Sequence, residues 1–153
     1  MDQPARLRRT DRSLPIALLR AREVVMAPIR VMLAESGISE QKWRVLRVLT
    51  ESGPLEQTAL AERACLLLPS LTRMLRAMEQ EGLVGRAPDP GDGRKSIVTV
   101  TARGRRVLSD HAEASAAIFA DLEARFGEER LEELLDLLEA LTEGEDSKAQ
   151  SRT

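Results

Sequence analysis

The feature that most constrains this chain is the change of hydrophobic period just after Gly82. Before it, apolar residues recur at helical spacing; from there to about Thr101 the chain is strand-prone around a turn-rich tip. Residues 57–64 (QTALAERA) read as a short helix, and Cys65-Leu66-Leu67-Leu68 turns a corner. Pro69 suits a first helical position, and Gly82 suits the stop after a second helix that ends at Glu81. Two short helices joined by a tight turn make a helix-turn-helix. Residues 83–86 then predict a strand, residues 87–94 a turn-forming tip, and residues 95–101 a second strand rich in β-branched side chains. A hairpin in that place is a wing. The expected fold class is mainly α with a small β-hairpin wing, a winged helix-turn-helix of α+β type.

The second helix of the pair divides into two faces. At 100° per residue, Leu71, Met74, Leu75 and Met78 fall together, and Thr72, Arg73, Arg76 and Gln80 fall opposite. Any surface helix divides so; the choice of exposed side chains says more. Arginines and hydroxyls near a helix N-terminus suit guanine edges and phosphate oxygens in a major groove, which singles out Ser70, Thr72, Arg73 and Arg76. In the wing, Arg86, Arg94 and Lys95 are placed to reach a neighbouring groove or backbone, with Asp92 expected to hold Arg94 by a short-range ion pair. The plainer alternative is a solvated loop with ordinary charges. The order of helix-turn-helix and hairpin argues against it.

Charge is distributed accordingly. The formal net charge is −2, yet residues 1–56 carry 10 Lys/Arg against 7 Asp/Glu, residues 57–106 carry 9 against 5, and residues 107–153 carry 4 against 13. A basic front and an acidic back fit a nucleic-acid face in the first two-thirds.

Around this module the chain reads as helices. Residues 1–13, with Arg6, Arg8, Arg9 and Arg12, look like a flexible basic arm. Residues 14–33 place Leu14, Leu18, Val25, Ile29 and Met32 on one helical face, with Pro28 expected to kink it or loosen its last turn. Ser39 is the expected N-cap of the next helix, which carries Val45, Leu46 and Leu49 and stops at Ser52-Gly53-Pro54. Residues 102–126 predict one long helix, interrupted by Gly127, and residues 128–141 a Leu-rich last one. That stripe is wider than a small winged domain needs, so part of it is expected to face a second copy of the chain. Residues 142–153 are expected to form a disordered tail. The domain plan is thus residues 14–36 and 102–141 as pairing helices around a winged module at residues 38–101.

Other function classes find little support. With one His and one Cys there is no metal-spaced cluster, phosphate-cradling loop or nucleophile elbow, so neither enzyme nor cofactor is expected. A lone cysteine and the lack of a long apolar run point to a cytoplasmic protein without a membrane partner. Cys65, set among Ala64, Leu66 and Leu67, is expected to be buried and inert, which weighs against the alternative of a thiol-based redox sensor. A winged helix serving as a protein-interaction module would not need Arg73, Arg76 and Arg94 displayed together.

Several segments resemble the MarR family of bacterial regulators, from about Leu14 to Leu141. They are Gln41-Lys42-Trp43-Arg44-Val45-Leu46, Ser70-Leu71-Thr72-Arg73-Met74-Leu75, Leu83-Val84-Gly85-Arg86, Asp92-Gly93-Arg94 and Val100-Thr101-Ala102-Arg103-Gly104. Within the family, Leu18-Leu19-Arg20-Ala21-Arg22-Glu23, Gln41-Lys42-Trp43-Arg44 and Ala64-Cys65-Leu66-Leu67-Leu68-Pro69-Ser70 are similar to the branch that represses homoprotocatechuate (hydroxyphenylacetate) degradation operons. The resemblance implies a triangular homodimer astride a palindromic double-stranded operator. It also implies a small ligand, an aromatic acid, between pairing helices and winged domain. Candidates for that ligand site are Arg22, Met26, Trp43, Arg44 and His111. Arg22 sits among core positions of the first helix, so its charge needs a partner: a ligand carboxylate, an internal Asp or Glu, or solvent reached by snorkelling. Trp43 and Arg44 offer an aromatic wall and a bidentate clamp, although Trp43 reads first as core. For His111 the plain surface reading comes first.

Overall fold

The computed structural model describes residues 7–150. These hold six α-helices and one three-stranded antiparallel sheet. In chain order they are α1 (Leu14–Ala34), α2 (Glu40–Ser52), β1 (Leu55–Glu56), α3 (Gln57–Arg63), α4 (Leu68–Gln80), β2 (Val84–Asp89), β3 (Asp92–Val100), α5 (Ala102–Phe126) and α6 (Glu128–Gln150). A 3-10 turn at Thr10–Arg12 precedes α1; the arm's residues 1–6 lie outside the described residues. Two compact units divide the chain, one up to Ser115 and one from Ala116 onward.

The first unit is built around the α2–α3–α4 group. Ser39 caps α2, its hydroxyl accepting the Lys42 N–H at 3.2 Å. Val45, Leu46 and Leu49 of α2, Leu60 and Ala61 of α3, and Leu71, Leu75 and Met78 of α4 bury one core with Leu83, Val84 and Val98 of the hairpin. The i, i+4, i+7 spacing in α4 turns its apolar stripe inward and leaves its arginines outside. Gly82 ends α4 with φ of +72°, and Leu83 N–H bonds to the Met78 carbonyl at 2.9 Å. The same kind of bond closes α3, where Leu66 N–H reaches the Ala61 carbonyl at 2.9 Å. There Cys65 takes the left-handed conformation, with φ of 54°. That geometry turns the thiol outward, so Cys65 is exposed rather than buried as expected.

At the N-terminus of α4, Leu67 occupies the capping position and makes no side-chain cap bond. A Ser, Thr, Asp or Asn there would contribute about 1 kcal/mol.

The sheet order is β1-β3-β2. Leu55 pairs with Val98 in a third strand too short to show any periodicity in sequence. The hairpin is longer than expected: β2 and β3 stay in register from Val84↔Val100 to Pro88↔Ser96, and after a register shift between Pro88 and Asp89 the pair Asp89↔Asp92 leaves only Pro90-Gly91 as the tip. Pro88 is tolerated because β2 is an edge strand, where a missing N–H breaks no inner ladder.

The hairpin passes directly into α5. The Thr101 hydroxyl accepts the Gly104 N–H at 3.1 Å and lies 2.6 Å from the Gly82 carbonyl. Gly104 is buried because the chain passes so near that a side chain has no room. One residue pair thus caps α5 and ties it to the turn that ends α4.

Helix α1 continues through Pro28, but only Ile29 and Leu33 are buried. Val25 and Met32 are half-buried, whereas Leu14 and Leu18 of the expected apolar face stay exposed in the single chain.

In the second unit, Arg130 of α6 stacks on Phe126 with 4.6 Å to the ring centre. Helix α6 runs to Gln150, which corrects the tail expected from residue 142; residues 151–153 lie outside the described residues. Once a helix exists, adding Glu, Lys, Ala or Gln costs little, and residues 143–150 are rich in them. Leu134, Leu135, Leu137, Leu138 and Leu141 of α6 are exposed.

Candidate DNA interface and ligand cluster

The basic residues singled out on α4 and the hairpin separate into free and engaged ones. Arg73, Arg76 and Arg94 are exposed and have no ion pair among the described residues. Arg86 is half-buried and bonds to Glu79 of α4, which ties the wing to that helix. Lys95 lies 3.8 Å from the Glu56 carboxylate. Asp92 does not pair with the Arg94 side chain as expected. Its carboxylate instead accepts the Arg94 backbone N–H at 3.1 Å, a turn-forming contact that leaves the guanidinium in solvent.

Ser70 and Thr72 are half-buried. The Thr72 hydroxyl donates to the Leu68 carbonyl at 2.9 Å and accepts from Gln57 Nε2 at 2.5 Å. It therefore braces α4 against the start of α3, and the free guanidinium groups of the helix are Arg73 and Arg76.

Four of the five ligand candidates lie on α1 (Arg22, Met26) and α2 (Trp43, Arg44). Arg22 finds an internal partner: its Nη2 lies 2.6 Å from Glu40 Oε1. Glu40 is only 9% exposed, and Arg30 Nη1 stands 3.6 Å from its other oxygen. That oxygen, Oε2, is buried without a hydrogen-bond partner among the described residues. One turn further along α2, Trp43 is buried at the cluster's edge, and the guanidinium of Arg47 lies over its ring at 5.1 Å. Arg44 is half-buried with no ion pair among the described residues. Met26 is half-buried on α1.

His111 departs from its expected surface position. It is 8% exposed, and its Nε2 lies 2.5 Å from the Ser36 hydroxyl just beyond α1. The helical repeat of α5 brings it to the turn that follows α1.

Glu40, Arg30 and Arg47 were missed from sequence. Arg47 stands four residues after Trp43, a spacing that places a cation on the same helix face and was legible. The Arg22–Glu40 pair spans 18 residues and two helices, so no local pattern announces it. No helix among the described residues is long and apolar enough to cross a membrane.

Comparison with known proteins agrees with this architecture. The MarR family profile matches residues 38–96. The homoprotocatechuate degradative operon repressor of Escherichia coli is 39% identical over 127 residues, 83% of this chain and 86% of the relative. The structure of NadR in complex with 4-hydroxyphenylacetate matches with a TM-score of 0.78 at 34% identity, over 91% of this chain and 97% of that one. The transcriptional repressor CouR bound to a 23-mer DNA duplex matches with a TM-score of 0.78 at 26% identity, over 92% and 99%. Winged helix-turn-helix, free arginines and these likenesses agree, and the chain belongs to the MarR family of transcriptional regulators.

Proposed function

We propose that the chain is a repressor, not an enzyme, that acts in the cytoplasm as a homodimer. It holds a palindromic double-stranded operator and releases it when a small aromatic carboxylic acid binds. The observation that carries the DNA half is the display of Arg73, Arg76 and Arg94 on α4 and the wing without acidic partners among the described residues. Arg73 and Arg76 enter the major groove with α4, and Arg94 contacts the backbone or minor groove beside it. The exposed leucines of α1 and α6 are the pairing surface; left in water, so much apolar area would favour aggregation.

For the effector, the face of α2 offers an aromatic wall at Trp43, cations at Arg44 and Arg47, and an acceptor at Glu40 Oε2. An aromatic acid of the hydroxyphenylacetate or related arylacetate type fits all three. Its carboxylate meets the arginines, its ring lies against Trp43, and its hydroxyl donates to Glu40. Arg22, already paired, orients Glu40 instead of clamping the ligand. A thermal-shift screen of small aromatic acids, with and without operator DNA, tests this. Linkage requires a true inducer to stabilise the free protein and to bind more weakly once DNA is present. Absence of any shift with hydroxylated arylacetates would overturn the effector assignment.

The exposure of Cys65 supports a second reading, a thiol-based redox-sensing repressor. Under that reading peroxide releases DNA from the wild type and not from Cys65→Ser.

A further inference from the structure

The run Leu66-Leu67-Leu68 at the helix-turn-helix corner is split by the fold. Leu66 turns inward against the core, while Leu67 is 76% exposed and Leu68 41% exposed, with Pro69 exposed beside them. A single exposed leucine means nothing, but three consecutive apolar side chains in water form a patch. The patch also stands at a helix N-cap, where a polar side chain would have secured the first turn and Leu67 makes no cap bond. A local rule broken with no gain in packing marks a functional position.

Resting on the operator-binding reading, we propose that Leu67 and Leu68 read thymine through its 5-methyl group. A recognition helix enters the major groove N-terminus first, and among base edges there only thymine presents an apolar group. Arg73 and Arg76 follow within about two turns of α4 and have no acidic partner among the described residues. The end of the helix thus combines apolar contact with cationic groups, the complement of a duplex that offers methyl groups between phosphates. A protein partner or second copy would meet those same unpaired cations. The arginines select guanine or anchor phosphate, and the leucines select the thymine positions beside them.

The test begins by selecting duplexes from a random pool with the full chain at fixed salt. Each thymine of the selected site is then replaced singly by deoxyuridine, which removes only the methyl group. Affinities are compared for wild type, Leu67→Asn and Leu68→Ala. The expected half-site contains thymine, and at one or more positions deoxyuridine weakens wild-type binding about fourfold, the value of one buried methyl group. At that position one of the two variants no longer distinguishes thymine from deoxyuridine. Leu67→Asn keeps or raises the thermal midpoint, since Asn caps α4, so a weaker affinity in that variant does not come from unfolding. A selected site without thymine, or thymine-to-deoxyuridine ratios unchanged in both variants, overturns the proposal while leaving an operator binder. Failure to select any duplex overturns the operator reading itself, and this proposal with it.

Discussion

Arg22 Nη2 lies 2.6 Å from Glu40 Oε1, while the second oxygen of the same carboxylate is buried without a hydrogen-bond partner among the described residues. Arg30 stands 3.6 Å from that second oxygen. Two arginines thus flank a nearly buried carboxylate that keeps one acceptor without a hydrogen bond among the described residues. Glu40→Gln weakens this network, and because both arginines keep contact with water the expected cost is only about 1 kcal/mol. Urea denaturation should show a lower midpoint at unchanged slope. The same change should reduce the preference for hydroxylated over unsubstituted arylacetates. An unchanged preference, measured by calorimetry, would remove Glu40 from the effector site.

Gly104 is a second fixed point. A Cβ there would lie 2.3 Å from the Leu83 carbonyl oxygen and 2.8 Å from Val100 Cγ2. The first contact is backbone, so relief requires α5 to move away from the wing. Gly104→Ala should cost roughly 1–3 kcal/mol, whereas Arg105→Ala, exposed on the next residue, should stay within about 0.5 kcal/mol of wild type. Thermal unfolding of the pair checks this, and equal midpoints would contradict the packing account.

Much of the fold was legible because its signals are local. The period change at Gly82, the Ser39 cap and the apolar stripe of α4 depend on residues within a few positions of each other, and each matches its observed element. What escaped depends on distance or on backbone geometry. β1 is two residues long and exists only by pairing with β3, more than 40 positions away. The apolar neighbours of Cys65 point to a core position, yet a left-handed φ at the helix end sends its side chain outward. His111 reads as surface from its own helix, and its burial and its bond to Ser36 arise from a contact 75 positions away. At the candidate interface the arginines were legible from the wheel of α4. That Arg86 is engaged by Glu79, and Arg94 by nothing among the described residues, was not. Helix α6 overruns its expected end because propensity, though weak, suffices to prolong a helix already nucleated.

Arg73 and Arg94 should fail differently. Arg73→Ala on α4 should cost on the order of 1–3 kcal/mol of operator affinity and relax base preference at one position per half-site. Arg94→Ala in the wing should weaken binding more uniformly across sequences. Competition binding against single-base operator variants separates the two. Wild-type affinity in both would contradict the interface.

The exposed leucines of α6 make a prediction about assembly. Deleting residues 128–153 should give monomeric or insoluble protein with little operator affinity, because both half-sites must be engaged together. A stable monomer in sedimentation that still binds the operator tightly would contradict the pairing role.

The most direct test is the salt dependence of operator affinity, followed by fluorescence anisotropy of a labelled palindromic duplex. If arginines of α4 and the wing neutralise phosphates, log affinity should fall linearly with log salt, with a slope of about −0.9 for each phosphate engaged. Two winged modules on one duplex should make that fall steep, and Arg94→Ala should flatten it by about one for each phosphate that Arg94 neutralises. Affinity that stays flat with salt, or no preference for the operator over random duplex, would contradict the account.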